Sequence, residues 1–314
     1  MKKAVLLLAV LISFISSQDF KKVGTTGYVF LEIPVSARAS ALGDASVALF
    51  HTGADAIFIN PALVGFTSKR HSLNFTFANW LADTKHQAGA YLFKLGNFGV
   101  FGVGFVRLDF GTMQGTTNAN PDQPGNYVIT EPFSADAMAF GISYSRMLTD
   151  RFSFGGFVKY VREKIWIYKS DNFVFDVGII YFTGFRSLRI AGAIQNFGVD
   201  SKYIGDTFKM PSVFKLGIAG EILGEHNTPT RLSISVEALH PSDSPEKLNF
   251  GVEYTFKNFL SLRGGYKFNY DEENFTFGFG LAGFNIGVPV NFDFAFVNFS
   301  RLGSVLRIGI GAEF

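Results

Sequence analysis

Residues 274–287 read NFTFGFGLAGFNIG, and within them Gly278, Gly280 and Gly283 stand at the G-x-G-x-x-G spacing. That spacing holds a dinucleotide pyrophosphate where a strand runs into a helix. The neighbours decide against it. Phe275, Phe277, Phe279 and Leu281 fall on one parity, while Asn274, Thr276, Gly278, Gly280 and Ala282 fall on the other, which is the two-residue period of a strand. The continuation, GFNIGVPVNFDFAFVNF, alternates too, so no helix is expected to receive a phosphate. The glycines belong to one face of a strand.

The same alternation recurs from about residue 70 onward. Leu248, Phe250, Val252 and Tyr254 oppose Asn249, Gly251, Glu253 and Thr255, and Phe152, Phe154, Val158 and Tyr160 oppose Ser153, Gly155 and Lys159. In a soluble sandwich the second set would face water and carry many Lys and Glu. Here it is mostly Gly, Ala, Ser, Asn and Thr with isolated charges, which suits the crowded interior of a barrel. Lys159, Asp176, Arg189, Lys215, Arg231, Glu237, Glu253, Arg263, Lys267, Asp293 and Arg307 are expected to pair across that interior, with the Phe-rich parity facing lipid.

Fourteen strands can be read between about residues 72 and 314, each long enough for the roughly 9 to 11 residues of a tilted spanning strand. Connections after even-numbered strands are brief, whereas 111–133, 165–170, 198–211 and 240–245 are longer, as periplasmic turns and outer loops would be. The last strand, LRIGIGAEF, ends with Phe314 on the lipid-facing parity, where an outer-membrane barrel carries the signal read by the barrel-assembly machinery. The expected fold is all-β, a 14-stranded antiparallel transmembrane β-barrel with a small α-rich N-terminal plug.

Composition agrees with membrane residence: 38 Phe and 34 Gly, only 17% charged residues, and a mean hydropathy of +0.21. A net charge of +2 offers no basic field for nucleic acid. The absence of cysteine removes disulfides, thiolate metal sites and a lipoprotein anchor. MKKAVLLLAVLISFISSQ reads as a secretory signal peptide over 1–17, cleaved after Ser17, because its apolar run is too short to span a bilayer. Residues 18–69 break the strand rhythm, with Ala37, Ala41, Ala45 and Ala48 at helical spacing and a turn at Asn60-Pro61, and are read as a plug filling the barrel of residues 70–314. The expected location is the outer membrane of a diderm bacterium.

No G-x-S-x-G, H-E-x-x-H or P-loop is present, and the five histidines (51, 71, 86, 226 and 240) lie far apart, read as solvated loop or rim positions. No enzyme, cofactor or metal site is expected. FVKYVREKIWIYK (157–169) reads as a rim girdle, with Tyr160, Trp166 and Tyr168 at headgroup depth and the basic residues against lipid phosphates.

YVFLEIPVSARASALGDASVALFHTGADAIFINPAL resembles the N-terminal signature of the PorV/PorQ family, which runs from F-L-x-(I/L) through S-A-R-x-x-A-L-G to N-P-A. The likeness extends through FSADAMAFGISYSRMLTDRFSFGGFVKYVREKIW, VFDVGIIY, IQNFG and LRGGYKF to the closing strands. The family is similar in architecture to the FadL fatty-acid porins. By this resemblance Arg38, Gly43 and Asp44 belong to the first conserved block, and Asn60, Pro61 and Ala62 to the N-P-A element. The resemblance implies a component of type IX protein secretion that binds exported cargo or other secretion proteins through its outer loops. The alternative is a FadL-like channel for hydrophobic small molecules such as long-chain fatty acids, with Met113, Tyr127, Val128, Ile129 and Phe133 as candidate lining of a pocket between plug and outer loops.

Overall fold

Alternating residues close into a wall. The computed structural model describes residues 24–119, 125–285 and 287–314; the expected signal peptide at 1–17 lies outside them. Fourteen strands form one closed antiparallel barrel in chain order: β1 (His71–Asn79), β2 (Lys85–Lys94), β3 (Val100–Met113), β4 (Phe133–Met147), β5 (Phe152–Ile165), β6 (Tyr168–Phe182), β7 (Arg189–Gly198), β8 (Val213–Leu223), β9 (Arg231–Pro241), β10 (Lys247–Phe256), β11 (Leu260–Phe268), β12 (Phe275–Asn285), β13 (Pro289–Asn298) and β14 (Ser304–Glu313). Closure joins β1 to β14, with Phe75 opposite Ile310. It ends where the His71 and Phe314 backbones exchange hydrogen bonds at 2.8 and 2.9 Å, their rings stacked 5.2 Å apart. Closing the sheet removes the edges that lipid could not hydrogen-bond.

The parity of the opening stretch is settled by exposure: Phe277 is 49% exposed and its neighbour Thr276 only 3%. Outward Phe, Leu, Ile and Val therefore meet hydrocarbon. From Phe152 up to Arg162, the first outward charge on β5, the strand rises about 33 Å, or about 25 Å along the barrel axis at the usual tilt, which matches the apolar band of such barrels.

Above that level the structure departs from the expected loops. Strands β5 and β6 continue through most of 165–170 and meet at a two-residue turn, Trp166-Ile167. Alternation survives there with charged instead of apolar outward residues, so the ladder persists in water. Thr116–Asn118 also pairs with Tyr127–Ile129 inside the long 111–133 connection.

The plug fills the lumen, as a barrel this wide requires, but it is less helical than its alanine spacing suggests. One five-residue helix, α1 (Ala37–Ala41), is capped by Ser36, whose Oγ accepts from the Ala39 amide at 3.2 Å. The 3₁₀ turns Val29–Glu32, Ala54–Phe58 and Pro61–Phe66 complete it. Tight 3₁₀ turns are the form short segments take when tertiary packing fixes their ends. Leu42, Val47, Ile57, Leu63 and Val64 of the plug pack against Leu92, Val100, Phe157 and Ile180 of the wall, each large side chain contributing about 1.5–3 kcal/mol by leaving water.

Lumenal glycines make this contact possible. A Cβ on Gly278 would overlap the Ala41 side chain of α1 and the Phe294 carbonyl, and one on Gly178 would overlap the Asn60 amide. That is the reason for the Gly-rich parity, and it answers the dinucleotide motif: Gly278 and Gly280 line a strand where the plug and a lumenal ion pair press close.

Candidate functional site

The described chain enters at the outer end of the barrel. The Thr26 hydroxyl donates to Asp243 at 2.8 Å, the Gly27 amide to the Lys209 carbonyl at 3.1 Å, and the buried Tyr28 hydroxyl to Ser170 at 2.8 Å. These partners sit on outer loops and outer strand ends. The segment then descends the lumen. It leaves at the periplasmic end, where Lys94 Nζ donates to the Thr67 carbonyl at 2.5 Å and Phe50, Phe66, Phe182 and His226 form an aromatic cluster. The plug is thus a cord threaded from the outer mouth to the inner one.

The N-P-A element anchors it. Asn60 Nδ2 donates to the carbonyls of Val47 (3.1 Å) and Ile179 (3.2 Å), and its Oδ1 accepts from the Ala62 amide at 3.0 Å. The Pro61 carbonyl accepts from the Ser145 hydroxyl. The preceding block does the same on the opposite wall. Arg38 donates to both oxygens of Glu253 at 2.9 and 2.7 Å and to the Phe50 carbonyl at 3.1 Å. Gly43 donates to Thr276 Oγ1 at 2.8 Å, and Asp44 pairs with Lys267 at 2.5 Å. Gly43 and Asp44 both take positive φ, +63° and 60°, so glycine suits the first. Residues singled out by the resemblance are therefore brought to the plug–wall contact.

The expected lumenal ion pairs form for the most part: Lys159 with Asp176 (2.8 Å), Arg263 with Glu253 (2.6 Å) and Asp293 (2.5 Å), and Lys215 with Glu237 (3.7 Å). Arg189 instead takes Glu221 at 2.8 Å. Arg307 is buried and enters no ion pair among the described residues; it meets His86 Nδ1 at 2.9 Å under the Trp80 ring. His86 thereby corrects its expected place on a solvated rim: it is fully buried, because β2 carries it on the lumenal parity.

Between plug and outer loops lies a chamber of about 190 Å³. Phe30, Ile33, Val35, Phe58, Val106 and Leu239 supply its apolar wall, and Lys159, Lys215, Lys247 and Lys267 its cations. Lys159 and Lys267 are tightly neutralised. Lys215 is held at 3.7 Å from its carboxylate, and Lys247 makes no ion pair among the described residues, resting 4.6 Å from the Tyr270 ring centre. Glu32 faces the same space; its side chain keeps access to solvent, but partial enclosure, reinforced by nearby Asp243, pushes its carboxyl up to about 7. Beneath α1 a second, polar vestibule of about 590 Å³ is lined by Arg38, His51, Lys69, Arg231 and Glu313. Ser36 and Ala39 border the upper space and Arg38 the lower, so a single helix of five residues borders both.

The five candidate lining residues are elsewhere. Met113 pairs with Phe133 at the top of β3 and β4, and Tyr127, Val128 and Ile129 stand exposed on the hairpin above them. None borders the chamber. Among the residues that do, Phe30 to Ile33 stand at the F-L-x-(I/L) start of the resemblance, a pattern that carries no hint of a chamber.

No family model and no curated protein matches the chain. Solved structures do. The Ralstonia pickettii toluene transporter TbuX is similar over 90% of this chain and 98% of its own, with TM-score 0.61 and 14% identity. The monoaromatic hydrocarbon channel CymD is similar over 92% and 99%, with TM-score 0.62 and 11% identity. A Pseudomonas aeruginosa FadL homologue is similar over 89% and 98%, with TM-score 0.55 and 14% identity. At these identities the likeness concerns the fold. A closed fourteen-stranded wall with a plug threaded through it and a chamber above the plug is the fold that this chain shares with these outer-membrane barrels.

Proposed function

We propose that the protein passes small hydrophobic molecules, about the size of a single ring, across the outer membrane and holds them in the chamber beneath the outer loops. The chamber's size carries this reading. An apolar cavity of about 150 Å³ accepts benzene; this one, at about 190 Å³, has room for a substituted ring and is too small for a long-chain fatty acid. Lys215 and Lys247 at its edge favour a ring with a carboxylate or an electron-rich face. Similar solved structures named for toluene and monoaromatic hydrocarbons support the same class.

Val106→Phe fills the chamber from β3 without adding charge. Vesicles containing this variant should take up toluene far more slowly than wild type, while oleate uptake is equally low in both. Undiminished toluene uptake through a folded V106F barrel would overturn the reading.

A role in type IX secretion, implied by the resemblance to PorV/PorQ, is a second reading. Its support is the exposed apolar hairpin tips, Tyr127 to Ile129 and Trp166 with Ile167, which stand above the membrane as a protein contact would. Deleting residues 114–130 should abolish cargo display on cells and spare the barrel; unchanged display would reject it.

A further inference from the structure

Arg231, at the start of β9, is the arginine of the periplasmic vestibule that no carboxylate holds. Its neighbours are all committed. Glu253 takes Arg38 and Arg263, Asp293 takes Arg263 as well, and Glu221, just behind the vestibule, takes Arg189 through two bonds of 2.8 Å. Arg231 lies within electrostatic reach of Arg38, Arg189, Glu221 and Glu253, yet enters no ion pair among the described residues.

Its Nη1 donates to two uncharged oxygens, the Thr228 carbonyl at 3.0 Å and Asn258 Oδ1 at 2.8 Å. These bonds fix the guanidinium at the wall, while its Nε and Nη2 make no hydrogen bond among the described residues. The remaining charges do not answer it. Lys69 and Glu313, neither in an ion pair among the described residues, add one charge of each sign; His51 is held by Asp55 at 2.7 Å, and Glu225 stands exposed outside the vestibule. A half-buried guanidinium with free donors facing open space is an anion-binding position, and its planar fork fits the two oxygens of a carboxylate.

Beside that fork the wall turns aromatic. Phe50 of the plug and His226, rings 4.9 Å apart, line the same vestibule. The space, about 590 Å³ against about 190 Å³ for the chamber, has ample room for a ring with its carboxylate. We infer that Arg231 is the holding point for the carboxylate of an aromatic acid in the vestibule, with the ring laid against Phe50 and His226. The site deepens the transport reading, on which its place in transport rests: an acid leaving Lys215 and Lys247 above α1 meets one further cation before the periplasm.

The test uses the full chain in detergent, with para-fluorobenzoate as probe followed by fluorine NMR. Val106→Phe fills the chamber, so what V106F binds reports the vestibule. V106F should bind the probe, V106F/R231Q roughly 10-fold more weakly, and V106F/R231K, which keeps the charge and loses the fork, between the two. Acetate, with no ring to lay against Phe50, should displace the probe only at roughly 10-fold higher concentration than benzoate. V106F/R301Q, changed at an outer-loop arginine paired with Glu272, should bind as V106F does. Loss of all binding in V106F, equal binding by V106F/R231Q, or acetate as effective as benzoate would overturn the site. Undiminished toluene uptake by V106F vesicles, with probe binding intact, would instead overturn the transport reading and leave the site standing. Heat-modifiable migration on gels checks that each variant is folded.

Discussion

Arg38 of the plug grips Glu253 of β10 with two hydrogen bonds, at 2.9 and 2.7 Å, across a lumen that neither residue can leave. The same carboxylate receives Arg263 at 2.6 Å, so one buried anion is shared between plug and wall. The helix carrying Arg38 borders both the upper chamber and the polar vestibule.

Arg38→Ala should therefore loosen the plug and spare the barrel. Breaking a buried pair by removing one partner costs about 3–5 kcal/mol, and less where a second cation remains, as Arg263 does here. Hydrogen exchange should rise over residues 36–50 by one to two orders of magnitude, with strand amides unchanged. Unaltered exchange there would mean that apolar packing alone holds the plug.

Asn60→Ala should cost on the order of 2–3 kcal/mol in local opening of the plug. The cap on Pro61–Phe66 is lost, and the Val47 and Ile179 carbonyls lose their donor. Asn60→Asp keeps the cap but turns a carboxylate oxygen toward the Val47 and Ile179 carbonyls in a fully buried site, so it should be at least as destabilising as N60A. Proteolysis within residues 50–66 of the purified variants reads the order.

Glu32 should make stability and binding depend on pH between about 4.5 and 7. Its carboxyl is raised in the folded protein, so the native state holds more protons there than the unfolded chain. Stability from this group is complete below about 4.5 and is lost as pH rises through about 7. Glu32→Gln should leave the unfolding midpoint unchanged near pH 4 and raise stability near pH 8 by on the order of 1 kcal/mol, because water in the chamber screens much of the penalty. Benzoate should bind wild type more tightly at pH 6 than at pH 8, and E32Q equally at both.

Arg307→Met should be neutral or stabilising. A guanidinium buried against a histidine and a Trp80 ring, with no carboxylate in an ion pair among the described residues, gains too little to offset its desolvation, and an apolar side chain of similar volume removes that cost. A loss of more than about 2 kcal/mol on thermal unfolding would mean that His86 and the Trp80 ring compensate the charge more fully than their geometry suggests.

Alternation by itself determined the barrel. Phe275, Phe277 and Phe279 opposite Thr276, Gly278 and Gly280 leave one arrangement in which oily side chains meet lipid and small ones face inward, since a strand has only two faces. The strand number and the alternation of short and long connections came from the same period. Arg38 and Asn60 were singled out by a resemblance alone, and their partners Glu253 and Ile179 lie far along the chain, where no local pattern could name them.

Only the tertiary structure decided where the chamber is and what lines it. Phe30 to Val35 form it because the cord is tied at Tyr28 to Ser170 and Ser201, contacts made between segments more than a hundred residues apart. It also decided that His86 and Arg307 meet, and that Lys164 faces Lys169, since register across strands depends on which turn joins them and how many residues that turn spends. Periodicity fixes the face of a residue; closure of the sheet fixes its neighbour.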